Sequence, residues 1–328
     1  YHPRQHCVRL CRRGWRLYQH GILGVYVDTL RSIQDQRIRR KKLWRDERLM
    51  DILIGLGSVG YKLTKAFAKH PQYKVITIDH EEGSTIRVPK CDHPEEYESR
   101  FPDIGDQLKG SEGEILFIVA GSSIISGAAL RVLEQLQNKG NVSILYIHPD
   151  VDTLSDTRRL QTNVVFGVLQ QYVRSGVFKQ FYAIDNQRVD KILGGAPIMG
   201  YYDSLNEVIV ATIHMINIFN HTEPVVGTLS NPKNICRIST FGILNPETGE
   251  ESPFFSLDNA KEKRYYYAIP ETELKTDKTL MSKIMSQVKD SPQKKDVKVS
   301  YGVFPTQYAD KYAYFIESTS EIQNEKSS

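Results

Sequence analysis

The stretch Ile52–Phe67, ILIGLGSVGYKLTKAF, decides how the rest of the chain is read. An apolar run leads into Gly55-Leu56-Gly57-Ser58-Val59-Gly60. A helical period follows, with Val59, Leu63, Ala66 and Phe67 on one face. A G-x-G-x-x-G turn between a strand and a helix suits a phosphate. Glycines let the backbone approach the anion, and the helix N-terminus offers free N–H groups and positive potential. Asp79 closes the next apolar strand, YKVITID, 19 positions after Gly60. A Rossmann domain places there the carboxylate that meets a ribose hydroxyl. Taken alone, residues 51–83 read as an NAD site built on Gly55, Gly57, Gly60 and Asp79. The plain alternative is a tight strand–helix turn that holds nothing.

Outward from this stretch, strands and helices alternate. EILFIVAG is an uninterrupted apolar strand, as expected for one buried on both faces. SGAALRVLEQLQNKG reads as a helix ending at Gly140, and NVSILYIHPD as the next strand. TRRLQTNVVFGVLQQYVRSG is a helix stopped at Gly176, FKQFYAID is a strand, and Tyr201 to Phe219 is one long helix. Residues 83–113 are polar, turn-rich and without period. This pattern specifies a doubly wound parallel α/β sheet, a Rossmann-like nucleotide domain over residues 50–200, joined by a central helix at 201–222 to a smaller α+β domain at 223–318. In the second domain RYYYAIPE, KDVKVSYGVFP and KYAYFIEST read as strands and KTLMSKIMSQVKD as a helix. The polar tail 319–328 is expected to be disordered.

The later motifs redirect the first reading. GSSIISGAALRVLEQL is a second small-residue loop opening a helix, and YAIDNQRVDKI is followed by YYDSLNEVIVATIHMI. Here the chain resembles the tubulin/FtsZ superfamily, from about Met50 to Ser318. Tubulins carry a similar IDN before the central helix, and that helix opens with Tyr, a short spacer, LN and an ATM-like run. The resemblance implies guanine nucleotide, GTP or GDP, with or without Mg. It places the phosphates on Gly55, Gly57, Ser58 and Gly60 and on Gly121, Ser122, Ser123, Ser126 and Gly127. Asp156 falls where the family contacts the ribose and its loop, Asp79 keeps its Rossmann position as a nucleotide-binding candidate, and Asn186 and Asn206 fall where the guanine is contacted. It also implies head-to-tail self-association into cytoskeletal-type filaments.

Two departures separate the chain from that pattern. The family's GGGTGSG-like signature is GSSIISG here, so fewer backbone N–H groups can wrap a phosphate. The loop after the central helix reads VVGTLSNPKNICRI, with Asn231 and Asn234 where the family supplies carboxylates to the neighbouring subunit. Asn can orient a water but takes no proton from it. The expectation is weak or absent hydrolysis. An NAD-dependent oxidoreductase is a second reading, but no acid–base pair or substrate domain supports it. A nucleotide-free structural or adaptor protein with the same fold is a third. Lone His148 and His214 read as structural, and no metal cluster is visible.

Charge is unevenly placed. Residues 1–49 hold 13 Lys+Arg against 4 Asp+Glu, a surplus of 9, and the remainder holds 30 against 35. A basic arm of this kind meets nucleic acid or anionic lipid, or serves as a targeting segment. The break in composition at Met50 favours an extension outside the core, helical over Thr29–Arg48, and nucleic acid is not expected elsewhere. No 18-residue apolar run suits a membrane helix. The scattered Cys7, Cys11, Cys91 and Cys236 suit free thiols in a reducing, cytoplasmic setting. A chain starting at Met50 is expected to melt cooperatively close to the full-length chain. A thermal scan of both, with a loss above about 3 kcal/mol for the shorter chain, would place the arm in the core.

Overall fold

The computed structural model describes residues 52–110, 113–289 and 297–324. Residues 1–51, including the expected helix at 29–48, lie outside the described residues. β1 (Ile52–Leu56) lies between β2 (Lys74–Asp79) and β4 (Gly113–Ala120), parallel to both. The sheet continues through β5 (Gly140–His148) and β6 (Gln180–Asp185) in parallel. It does not stop at β6. β6 pairs with β8 (Ile238–Leu244), again parallel, through Phe181↔Ile238 and Tyr182↔Ser239. The far half runs β8-β12-β10-β11-β7, with β12 (Tyr312–Thr319), β10 (Glu262–Pro270), β11 (Lys298–Thr306) and β7 (Val226–Thr228). The short β3 (Ile86–Arg87) extends the other edge, and β9 (Glu251–Pro253) pairs with β8.

Alternation along β1 shows why the sheet is covered on both sides. Ile52, Ile54 and Leu56 join one core, with α3 (Ala129–Leu136) and α4 (Asp156–Arg174) over it through Val132, Leu133, Phe166 and Leu169. Leu53 points the other way, to Leu63 and Phe67 of α1 (Gly57–Phe67) and to α6 (Tyr201–Asn220). A strand buried on both faces carries no polar side chain, and ILIGL has none, with Gly55 at the place where α1 comes closest. α2 (Pro94–Arg100), α5 (Asn186–Leu193), α7 (Glu271–Thr276) and α8 (Leu280–Lys289) complete the helices among the described residues.

α6 is apolar nearly all round, with Leu205, Val208, Ile209, Ile213 and Ile216 buried. Its far end packs Phe219 on Phe304 at 4.5 Å between ring centroids, so one helix seals both halves. His214, fully buried, stacks on His70 at 3.8 Å, and its Nδ1 lies 2.8 Å from the Tyr73 hydroxyl. Asn217 Nδ2 donates to the same oxygen at 3.2 Å, and burial pushes the Tyr73 phenol well above its ordinary value. His214 is therefore structural, as read. RYYYAIP is core strand: Tyr266 faces α6, and Tyr265 and Tyr267 face α8.

Several boundaries differ from the sequence reading. α3 ends at Leu136, not at Gly140, which instead starts β5 against Gly113. A Cβ on Gly140 would fall 2.1 Å from the Gly113 carbonyl oxygen, so that glycine serves strand approach. Residues 83–113 contain β3 and α2. The first part of the expected disordered tail is anchored: Gln323 is buried, its N–H donates to Gln170 Oε1 at 2.8 Å, and Gln170 Nε2 donates to its carbonyl at 3.0 Å. Gly176 ends α4 as expected, in the left-handed region at φ +87°.

In the far half a cation sits inside the sheet's packing. Lys263 Nζ, fully buried, lies 2.5 Å from Glu251 Oε2 and 3.2 Å from Glu317 Oε2, over the Phe315 ring. Lys263→Met removes the cation between the buried Glu317 and the partly buried Glu251. It should cost about 3–5 kcal/mol in urea unfolding, the usual effect of breaking a buried ion pair from one side.

Candidate functional site

The C-terminal ends of β1, β4, β5 and β6 meet at one edge, where α/β sheets bind their ligands. The first loop shows what its glycines are for. A Cβ on Gly55 would fall 2.3 Å from the Gly60 carbonyl oxygen. One on Gly60 would fall 2.8 Å from the Gly55 carbonyl carbon and 2.9 Å from the Ile118 oxygen. These two glycines let α1 sit directly on β1 and β4, with or without a ligand. Thr64 Oγ1 then donates back to the Gly60 carbonyl at 2.8 Å. Gly57 is different: it opens α1 at φ +73°. No side chain caps α1, and its first turn holds no acid. Its leading N–H groups and positive pole therefore stay available to an anion. Ser58 is exposed beside them.

The second loop closes over the first. Ile124–Ala128 forms a 3-10 turn, and Ser126 Oγ donates to the Gly121 carbonyl at 3.2 Å. Gln161 of α4 donates to the Ser123 carbonyl at 2.8 Å and to Ser126 Oγ at 3.0 Å. Ser126 is thus spent inside the loop. Ser122 and Ser123 keep half-buried hydroxyls without a described partner. Gly121 and Gly127 are again packing glycines: their Cβ atoms would meet the Tyr146 hydroxyl at 1.8 Å and the Pro94 carbonyl at 2.4 Å. A Cβ on Gly57 would fall 2.6 Å from Ile125 Cγ2 and 3.2 Å from Ser123 Oγ. The two loops that would embrace phosphates are therefore in contact at Gly57, and the contact is a buried aliphatic side chain.

Asp79 ends β2 at this edge but is closed to solvent. It is 1% exposed; its Oδ1 accepts from the His80 N–H at 2.7 Å, and its Oδ2 is buried with no hydrogen bond among the described residues. A ribose has no access to it, which removes the main support for the NAD reading. Asp156 is exposed at the start of α4, where an acid favours the helix dipole. Asn186 opens α5, capped by Asp185, whose Oδ1 accepts from the Gln187 N–H at 2.8 Å. Gln187 Nε2 reaches Asp150 Oδ1 at 2.6 Å, tying α5 to the end of β5. Asn206 lies in the second turn of α6, against which α5 packs. Both asparagine side chains are half-buried and make no hydrogen bond to a described residue. Nearby, burial and the adjacent Asp190 push the Tyr201 phenol up.

Asn231 and Asn234 are not brought to this edge. They are exposed on the loop after α6, at the opposite end of a helix about 30 Å long at about 1.5 Å per residue. Sequence reasoning passed over Glu223, an exposed carboxylate three residues after α6 and the one acid in residues 221–237. Its signal was available in HTEP, one turn upstream of the stretch compared. Lys233 N–H donates to Glu262 Oε2 at 3.0 Å, which pins the middle of the loop to β10. Among the described residues no cluster of three or more His, Cys, Asp or Glu side chains is placed to hold a metal ion.

The fold these elements build is tubulin/FtsZ-like. No family model and no curated protein matches the sequence. Among solved structures, the GDP-form protofilament of TubZ from Bacillus thuringiensis serovar israelensis is similar with a TM-score of 0.66 and 14% identity, over 88% of this chain and 91% of that one. An empty FtsZ dimer from M. jannaschii gives 0.61 and 11%, over 87% and 92%. The GDP-bound CetZ1 monomer from Haloferax volcanii gives 0.57 and 16%, over 83% and 94%.

The glycine analysis separates packing from ligand. Gly60→Ala should destabilise the fold by about 1–3 kcal/mol through overpacking, with or without nucleotide, whereas Ser58→Ala should leave stability unchanged. Chemical denaturation of both variants checks this.

Proposed function

We propose that this chain is a filament-forming subunit that stacks head to tail and holds a guanine nucleotide weakly, with slow turnover. The observation that carries the reading is the pair of unlike apolar surfaces at the two ends of α6. At its start, Ile198 is 95% and Met199 92% exposed on a glycine-flanked loop, with Tyr202 beside them. At its end, Val225, Val226 and Ile235 are exposed around the loop that holds Glu223. Scattered exposed apolar residues need no account, but clusters at opposite ends of one strut suit a heterologous contact, and such contacts propagate. The solved TubZ assembly described as a four-stranded filament has the same fold, at a TM-score of 0.67 and 14% identity.

Asn186 and Asn206 would hold the base, and the uncapped start of α1 the phosphates. Ile125 narrows the cradle, which is why binding is weak. No described helix is long and apolar enough to cross a membrane, in keeping with a cytoplasmic polymer. In a stack, the end of one subunit that bears Asn231, Asn234 and Glu223 faces the next subunit's nucleotide. The two asparagines can orient water, and Glu223 is the group there able to accept its proton.

Titration calorimetry with GTP, GDP and NADH tests the ligand. Guanine nucleotide should bind and NADH should not. Asn206→Ala should weaken binding by about 1–3 kcal/mol, and Ile125→Gly should strengthen it. NADH binding that GTP does not displace would overturn the assignment. For assembly, replacing Ile198 and Met199 by Asp should abolish sedimentable polymer while leaving the melting temperature unchanged. Phosphate release should be slow, and Glu223→Gln should lower what remains by roughly 10² or more.

A further inference from the structure

The exposed large apolar side chains of the described residues fall into three groups, with Met281 standing alone. Two groups sit at the ends of α6. The third lies on α4, which covers the face of the sheet opposite to α6. α4 carries two apolar stripes, and the fold uses one. Phe166, Leu169 and Val173 enter the core. Leu160, Val164 and Val168 recur every four residues on another side, with Leu160 66% and Val164 55% exposed. The repeat keeps them on one line about 12 Å long. That line is one wall of a groove of about 580 Å³, completed by Leu130 of α3, Ile124 of the second loop and the segment 92–98. The facing wall is acidic. Asp92, Glu95 and Glu98 are exposed on it at three-residue spacing, and none forms an ion pair with a described residue. The cations beside it are engaged elsewhere: Arg100 lies 3.5 Å from Glu96, and Arg131 3.1 Å from Glu134. Arg158 is the single Lys or Arg in the lining.

We propose that this groove docks a basic amphipathic helix of another protein. Its apolar face lies on Leu160 and Val164, and its lysines or arginines run along the flank that meets Asp92, Glu95 and Glu98. A helix suits the groove because its own four-residue ridges interdigitate with the four-residue line of α4. The three uncompensated carboxylates along one wall select a basic partner and set which way round it lies. A second copy is the poorer match. Residues 50–328 carry 30 Lys+Arg against 35 Asp+Glu, so their surface brings like charge. α1 does expose Lys62, Lys65 and Lys69 on one face, but its apolar Leu63 and Phe67 are buried in its own core. None of the residues placed at the stacking ends lines the groove, so docking does not depend on the filament reading.

The probe is a fluorescein-labelled synthetic peptide of about 18 residues, long enough to span the groove at about 1.5 Å per residue. It carries Leu at every third or fourth position and Lys elsewhere, and its acidic counterpart carries Glu in place of Lys. Fluorescence anisotropy with the full-length chain should show saturable binding of the basic peptide and none of the acidic one. Val164→Glu, at an exposed position that the fold tolerates, should weaken the basic peptide about tenfold or more. Glu95→Lys with Glu98→Lys should weaken it as much and admit the acidic peptide, an exchange of preference that misfolding does not produce. Met281→Glu, an exposed methionine of α8, should change neither. Ile198→Asp with Met199→Asp should lose polymer and keep the basic peptide, which separates this test from that of the stack. Failure of the basic peptide to bind the full-length chain overturns the proposal, as does binding that ignores Val164→Glu. Light scattering without peptide supplies the last check. Loss of self-association in the Val164→Glu chain also overturns the proposal, because it gives the groove to a second copy.

Discussion

The structure depends on burying α6 from both sides. A helix with Leu205, Val208, Ile209, Ile213, Ile216 and Phe219 pointing inward in several directions cannot rest on one sheet face alone. It needs the near half of the sheet, through Leu145, Ile147 and Ile184, and the far half, through Tyr266, Phe304 and Tyr314. This requirement explains the continuous sheet. The β6–β8 ladder that joins the halves has two registered pairs, too few backbone hydrogen bonds to fix a domain orientation. The shared core beneath it does so instead, with apolar burial worth roughly 25 cal/mol per Å². The His70–His214–Tyr73–Asn217 cluster adds direction to a contact that apolar packing leaves without any.

The same economy governs the ligand edge. Four of the five glycines singled out at the two loops, Gly55, Gly60, Gly121 and Gly127, are required because another backbone or side chain occupies the place of a Cβ. Gly57 alone combines positive φ with the uncapped end of a helix. A glycine fingerprint therefore reports close helix–strand packing first and phosphate second. In this chain a methyl group of Ile125 occupies the place of a Cβ at Gly57.

Much of the fold was legible because its signals are local. Uninterrupted apolar strands such as EILFIVAG, a 20-residue apolar helix and a glycine stop at Gly176 need no tertiary information. What was missed depends on partners far away in sequence. Gly140 reads as a helix stop until Gly113 is seen beside it. β8 hides in ISTFGIL because its polar Ser239 and Thr240 are satisfied by Gln180 and the Ala183 carbonyl. Gln323 reads as tail until Gln170 binds it. At the candidate site, the asparagine pair and both loops were proposed from order along the chain. The inward turn of Asp79 and the closure by Ile125 were not, because neither residue type declares which way it points. Glu223 was legible and overlooked, one turn before the segment that was compared.

α6 runs from the Ile198–Met199 tip to the loop carrying Ile235, so in a stacked filament any pull between neighbours is applied at the two ends of one helix. Stretching that helix would mean sliding it against both sheet halves at once, with every side-chain contact resisting together. The joints would be softer. One side of each would be a short loop held between Gly195 and Gly200, both in the left-handed region. Such a filament would behave as a string of stiff rods. Its bending and its breakage under load would be set at the junctions, and its stiffness would follow the residues at those tips more closely than anything inside the subunit.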